Sequence, residues 1–390
     1  MKQLIDRKQN KVADFQALRM PVALRNKMAL MTRLKSSEAS TNDITSHLRS
    51  LQFESVLTEE EKQLLHLRAK SHALSVYQCA QATYFSNVLH QLRELKSQLK
   101  NPSVKRTTRI LQNDRSNKDP LLVGILGCGR LGSQIVQCLL TYGKISPANI
   151  QISTRRPEIL DHFQQQGVDC YCDNIKLVSS VHVIFFCVLP SQLTAVAEEV
   201  KSHIQPSTIA FVFTSGISLR RLKQMLNTSS ILSPEFTFPE RNHDKDWNYH
   251  TSISMALENK SIVEKTCPIS NTDQLVQVNP NLAVAMVYAF VNMCSEQGLT
   301  KQETLQAVHM TVFGENEQSP SEDKLTVTDF GGRGNMSECF PYFDLIEIYE
   351  NESYVMQKLQ KSKHLQQTFI KQYWRVFEEY LHAQFYGHLE

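Results

Sequence analysis

Six consecutive residues of this 390-residue chain carry the first chemical signal: Gly127-Cys128-Gly129-Arg130-Leu131-Gly132. Glycines at the first, third and sixth places of such a stretch have separate uses. The first permits a tight turn, the second removes a Cβ that would block a pyrophosphate, and the third lets a helix lie close on a sheet. A helix starting there turns unpaired N–H groups and the positive end of its dipole toward an anion. About 20 residues further on, an acid would bind both ribose hydroxyls of NAD. The chain instead has Ser153-Thr154-Arg155-Arg156. Hydroxyls and two guanidinium groups suit a 2′-phosphate, so the spacing predicts NADP(H), with Thr154, Arg155 and Arg156 at that phosphate. Arg130, inside the glycine stretch, either meets a phosphate or faces solvent. A later loop, Val188-Leu189-Pro190-Ser191, ends a long apolar run. In an open α/β sheet ligands lie outside the carboxyl ends of the strands, which puts this loop, and Ser215-Gly216 after the next run, beside the same ligand.

The elements that must position these residues can be read from periodicity. Short apolar or alternating runs at 121–126, 149–153, 168–172, 181–189, 208–213 and 230–232 read as strands. Helical patterns at 131–140, from Pro157 to Gly167, at 191–203 and at 218–226 separate them. Strands alternating with helices over about 120 residues predict an α/β fold with a doubly wound parallel sheet. Before it, Thr58 with Glu61 three residues later reads as a capping box. It opens one or two amphipathic helices over 58–98, followed by a linker. After residue 240 the strand signal fades, and helices are expected at 282–293, 301–312 and from Asp344 onward. In the last of these Phe369, Tyr373, Trp374, Phe377 and Tyr380 fall at helical spacing. That stripe reads as packing against a partner helix or a second subunit. The expected domains are a basic N-terminal segment, 1–57, a helical extension and linker, 58–118, a dinucleotide-binding domain, 119–240, and an α-helical C-terminal domain, 241–390.

Composition narrows the function classes. A net charge of +3 is too small to make nucleic acid or a membrane surface the main partner. No apolar run reaches the roughly 18–20 residues of a spanning helix, and the N-terminus has no secretory h-region. An intracellular protein is expected, in the cytoplasm or, given an Arg-bearing and acid-poor N-terminus, in the mitochondrion. The nine cysteines form no CxxC and there is no clustered His pair, so no metal site is expected and the thiols read as reduced. No catalytic set stands out: His243, His250, His309, Tyr249 and Lys301 are scattered, and the only Tyr-x-x-x-Lys spacing is Tyr354 to Lys358, far down the C-terminal tail.

The runs VGILGCGRLGSQIVQCLL, ISTRRPEIL, VIFFCVLPSQL and FVFTSGISLRRL, in that order over about 121–228, resemble the pyrroline-5-carboxylate reductases. The resemblance implies a Rossmann-type domain followed by an α-helical domain that dimerises through its C-terminal helices. It also implies NADPH delivering hydride to a cyclic imine. By matching position it assigns Gly127, Gly129 and Gly132 to the phosphate loop, Thr154, Arg155 and Arg156 to the 2′-phosphate, and Val188 and Pro190 to the family's VKP turn, where Leu189 replaces the lysine. The substrate motifs match poorly. Ser233-Pro234-Glu235-Phe236-Thr237 stands for an MPNTP-like stretch, and only Asn279-Pro280-Asn281 precedes the helix at 282. The family's SPGGAT is matched by Asp329-Phe330-Gly331-Gly332-Arg333-Gly334. Asp329, Gly331, Gly332 and Arg333 are therefore the candidate substrate-side residues. Asp329 would repel a substrate carboxylate, while Arg333 would either bind an anion or pair with Asp329. The expectation is an NADPH-dependent oxidoreductase for a small substrate other than pyrroline-5-carboxylate. The alternative is an inactive NADP(H)-binding sensor or scaffold.

Overall fold

The computed structural model describes residues 56–99, 119–239, 247–270, 275–314, 324–331 and 337–386. The expected basic segment up to residue 55, the linker at 100–118 and the candidates Gly332 and Arg333 lie outside them. The chain divides between Leu65 and His66. Before that point lies helix α1, Glu59–Gln63, opened by the expected capping box of Thr58 and Glu61. All that follows concerns His66–Glu390.

Six strands form one parallel sheet in the order β3-β2-β1-β4-β5-β6: β1 Val123–Leu126, β2 Ile150–Ser153, β3 Asp169–Tyr171, β4 Val183–Phe186, β5 Ile209–Val212 and β6 Ile231–Leu232. Every residue of β1, β4 and β5 is buried, as near-continuous apolar runs require when helices cover both faces. Those covering helices are α3 (Arg130–Tyr142), α4 (Asp161–Gln164), α5 (Asn174–Ser180), α6 (Pro190–Val200) and α7 (Leu219–Leu226). This is the Rossmann-type doubly wound arrangement the sequence predicts. Helix α5 is the element the periodicity missed. It is short, and its readable signal is Asp173, whose side chain accepts from Lys176 N–H as an N-cap.

Two residues of β7, Phe236–Thr237, pair antiparallel with β8, Gln277–Val278. Helices α8 (Ile253–Leu257), α9 (Lys260–Thr266), α10 (Asn281–Glu296), α11 (Lys301–Ala307), α12 (Leu345–Glu350), α13 (Tyr354–Lys361) and α14 (Lys363–Tyr386) make up the rest, with a π-turn after α11.

The main departure from expectation is helix α2, His66–Leu99. It reads as an amphipathic extension, yet every residue from Val76 to His90 is buried. It runs against α3 on one side and against α8, α9, α10, α11 and α14 on others. A helix enclosed on all sides is ordinarily apolar all round, but α2 encloses Gln78, Gln81, Thr83, Ser86, Asn87, His90 and Arg93. Several find partners. Asn87 donates to the Tyr142 carbonyl at 3.4 Å and accepts from Lys144 N–H at 3.1 Å, closing the C-terminal end of α3. Arg93 pairs with Asp119. The aromatic stripe of α14 is covered by this same helix and by α3. Tyr84 meets Phe369 and Tyr373 at centroid distances of 5.5 and 4.6 Å, and Tyr142 meets Phe377 and Tyr380. The stripe that suggested a second subunit is thus buried within one chain.

His182, just before β4, accepts from Leu122 N–H at 2.9 Å through Nδ1. Burial, helped by Arg93 nearby, pushes its imidazole down to about 4. The folded protein therefore holds the neutral ring. The stability this adds is complete above the unfolded value of about 6.5 and is lost as the pH falls from there toward 4. At about 1.4 kcal/mol per unit, discounted for the ring's partial exposure, about 2 kcal/mol should disappear over that window. Thermal melts from pH 7 to pH 4 should show the loss, and His182→Asn should flatten it.

Candidate functional site

The turn after β1 is built from backbone contacts. Gly127 has φ of +90°, in the left-handed region, and its N–H donates to the Ser153 carbonyl at 2.9 Å. A Cβ on Gly132 would lie 2.3 Å from the Gly127 carbonyl oxygen, so α3 can start this close to β1 only with glycine there. A Cβ on Gly129 would meet nothing within 4 Å. Gly129 is the N-cap of α3 and no side chain caps that helix. Its first N–H groups keep the partial positive charge that an anion would meet.

This turn lines a cavity of about 1080 Å³, slightly above the roughly 300–1,000 Å³ of most ligand pockets. Gly127, Cys128, Gly129, Arg130 and Leu131 form one wall, while Gly132 lies behind it as the packing residue. Thr154, Arg155 and Arg156 line the end beyond β2, and Val188, Leu189 and Pro190 line the mouth after β4. The three separated stretches are therefore brought to one cavity. Arg130, Arg155 and Arg156 are exposed, and among the described residues none of the three has an ion-pair partner. Ser153 is not available to a ligand. Its Oγ donates to Asn174 Oδ1 at 2.7 Å and accepts from Asp173 N–H. Cys128 and Cys187 also line the cavity, and burial pushes both thiols up, which keeps them protonated and inert.

Sequence reasoning missed other lining residues. Ile159, 54% exposed, is an apolar side chain open to the cavity, as is the expected Leu189. Asn174, held by Glu199 at 2.8 Å, brings the start of α5 to the same end. Ser71 and Ser75 come from α2. Nothing near them in sequence marks them, because their place depends on how α2 is buried.

The substrate-side candidates behave differently. Asp329 and Gly331 do not line the cavity. Asp329 closes the turn Val327–Phe330 by accepting from Thr326 N–H and Oγ1, and it pairs with Lys358 Nζ at 2.9 Å. Burial works to raise this carboxyl, but the hydrogen bonds from Lys358 and Thr326 outweigh it and hold it below the usual range. Lys358 is thereby committed, and Tyr354 is 68% exposed, so the Tyr-x-x-x-Lys spacing assembles no catalytic pair. His309 is held by the Leu325 carbonyl. The other two departures from the reductase pattern are brought together: Phe236 and Thr237 pair with Val278 and Gln277, and Asn279 donates to Glu235. Among the described residues no group of His, Cys, Asp or Glu could hold a metal ion, and no helix is long and apolar enough to cross a membrane.

The mouse (Mus musculus) NADP-dependent oxidoreductase domain-containing protein 1 is 30% identical over 345 residues, 86% of this chain and 93% of the mouse protein. The chain belongs to that family. Family members are related to the pyrroline-5-carboxylate reductases. Pyrroline-5-carboxylate reductase 3 of Danio rerio is 25% identical over 118 residues, 29% of this chain and 41% of that protein's length. A family model described as NADP oxidoreductase, coenzyme F420-dependent, matches residues 122–210, which hold the glycine turn and the Thr154–Arg156 and Val188–Pro190 loops. A solved pyrroline-5-carboxylate reductase from Coxiella burnetii aligns over 67% of this chain and 97% of its own, at 18% identity and a TM-score of 0.28.

The glycine geometry makes two substitutions diverge. Gly132→Ala should lower stability by about 2–3 kcal/mol, because a helix must move off the sheet to clear the overlap. Gly129→Ala should cost less than about 1 kcal/mol, the difference between the two residues at an N-cap. Chemical denaturation of both variants measures the contrast.

Proposed function

We propose that this chain is an NADPH-dependent oxidoreductase acting on a small substrate. The observation that carries the reading is the convergence on one cavity of an uncapped helix N-terminus and three arginines without an ion-pair partner among the described residues. Gly127, Gly129 and the first N–H groups of α3 would hold the pyrophosphate, with Cys128, Arg130 and Leu131 forming the wall around it and Gly132 keeping α3 in place. Arg155 and Arg156, with Thr154, would hold the 2′-phosphate by charge-assisted hydrogen bonds. Val188, Leu189 and Pro190, with Ile159 opposite, offer apolar surface to the bases. When bound, the cofactor supplies a hydride. The protein's part is to bind, orient and exclude water.

A second reading, an NADP(H)-binding protein without turnover, is favoured by one observation. Asp329, where the related reductases carry the start of a substrate motif, is consumed by Lys358 and Thr326. The C-terminal helices would form a homodimer if the resemblance extends that far. Such a dimer must use a surface other than the aromatic stripe, which α2 and α3 already cover.

Thermal stabilisation tests the cofactor reading, because a ligand that binds only the folded state raises stability by mass action. Saturating NADPH should raise the melting temperature clearly and NADH little. At 100-fold over the dissociation constant the gain is about 2.7 kcal/mol. Arg155→Glu with Arg156→Glu should abolish the preference for NADPH. The absence of a shift with either nucleotide would overturn the reading. With pyrroline-5-carboxylate as substrate, NADPH oxidation should stay at background. Brisk turnover would instead place that imine as the substrate.

A further inference from the structure

The end of the large cavity beyond β2 carries charges of both signs that do not neutralise one another. Arg155 and Arg156 line it, and so do Asp173 and Glu199. Among the described residues no ion pair joins the arginines to either acid, and Glu199 has no ion-pair partner. Asp173 is committed, because it caps α5 by accepting from Lys176 N–H at 2.8 Å. Glu199, at an exposed position, is the acid left for a ligand.

A chain of hydrogen bonds fixes where Glu199 stands. Ser153 Oγ accepts from Asp173 N–H at 3.2 Å and donates to Asn174 Oδ1 at 2.7 Å. Asn174 Nδ2 then donates to Glu199 Oε2 at 2.8 Å. Ser153 immediately precedes Thr154, Arg155 and Arg156, so two side-chain hydrogen bonds tie Glu199 to the arginine loop. The amide uses one carboxylate oxygen and leaves the other, Oε1, able to accept. Two apolar side chains complete this end: Ile159, and Val196 one turn before Glu199 on α6.

Guanidinium groups, an acceptor and apolar surface at one end of a cavity specify a ligand with three matching parts. It carries an anion, a flat apolar ring, and an N–H donor on the edge of that ring. In NADP(H) the adenine and the 2′-phosphate sit on neighbouring carbons of one ribose. A phosphate held by Arg155 and Arg156 therefore brings the base to this end. Adenine has an exocyclic amine, a donor, where a six-oxo purine such as hypoxanthine has a carbonyl, an acceptor.

We infer that Glu199 selects the base of the dinucleotide, its carboxylate accepting from the exocyclic amine of adenine and disfavouring a six-oxo purine in the same place. Asn174 is the positioning residue, holding Glu199 against the loop that reads the phosphate. The inference rests on the cofactor reading and adds a second specificity to it: the arginines discriminate by phosphate and Glu199 by base.

Calorimetric titration of the full chain with NADPH, NADH and the hypoxanthine analogue of NADPH tests this. The wild type should bind NADPH about tenfold or more tighter than the hypoxanthine analogue, the scale of one hydrogen bond to a charged group. Glu199→Gln keeps the side chain's size and can turn an amide N–H toward a carbonyl, so the base preference should fall to about threefold or less. Asn174→Ala, which frees Glu199 and leaves the arginines in place, should weaken the base preference in the same direction. In both variants the preference for NADPH over NADH should stay at the wild-type ratio, which general loosening of the cavity would not preserve. Circular dichroism confirms that each variant is folded, and if Asn174→Ala is not, Glu199→Gln carries the test. Equal affinity of the wild type for NADPH and its hypoxanthine analogue, or a base preference that survives Glu199→Gln or Asn174→Ala, would overturn the inference and leave the cofactor reading standing. Failure of NADPH itself to bind would overturn both.

Discussion

Asn87 holds the end of α3 by giving a hydrogen bond to the Tyr142 carbonyl and taking one from Lys144 N–H. The arrangement around it depends on this contact. A helix as enclosed as α2 has to settle its polar side chains on protein partners, since water cannot reach them. Where it does so, it locks neighbouring elements in place. Asn87 fixes the C-terminal end of α3, whose N-terminal end is the glycine turn. Gln81 reaches the Thr266 carbonyl at the end of α9, and Arg93 reaches Asp119, just ahead of β1. One helix thus ties the sheet's entry, the glycine-turn helix and the C-terminal helices to a common frame. Ser71 and Ser75 at its other end enter the large cavity as a result.

The two halves of the site differ in how far they depart from the reductase pattern. Around the large cavity, the residues do what their types allow: a left-handed glycine, a glycine under a carbonyl, and arginines with no ion-pair partner among the described residues. On the other side, the charge introduced at Asp329 has been absorbed by Lys358 rather than offered to a ligand. A carboxylate satisfied by an ammonium and two Thr326 donors presents little field beyond its neighbours. The new residue at that position stabilises a turn.

Much of this was legible in the sequence, and the limits are physical. The six strands stood out because parallel strands covered on both faces must be apolar runs, and Gly127 and Gly132 because a left-handed turn and backbone clearance leave no substitute at those two positions. The end of the cavity beyond β2 could be read as arginines, but Ser153 could not be removed from that set without seeing Asn174 bonded to it. Helix α2 was misread as amphipathic because its buried polar residues mimic a solvent face. Their partners outside the helix lie 26 to 185 positions away, where no periodicity reaches. Of the two readings of the aromatic stripe, a partner helix or a second subunit, the contacts with Tyr84 and Tyr142 supply the first. Lys358 lies 29 residues after Asp329, too far for a local signal to couple them.

The enclosure of α2 also orders events in time. Translation delivers α2 well before α14, which covers Tyr84 through Phe369 and Tyr373. The sheet can assemble as its strands emerge, because its pairings are sequential neighbours apart from one crossover. The central helix cannot finish burying itself until α14 has been made. Until then its apolar side chains stand open, as in folding intermediates that draw chaperones or self-associate. The helix that ties these elements together therefore waits, partly open, on a helix made long after it.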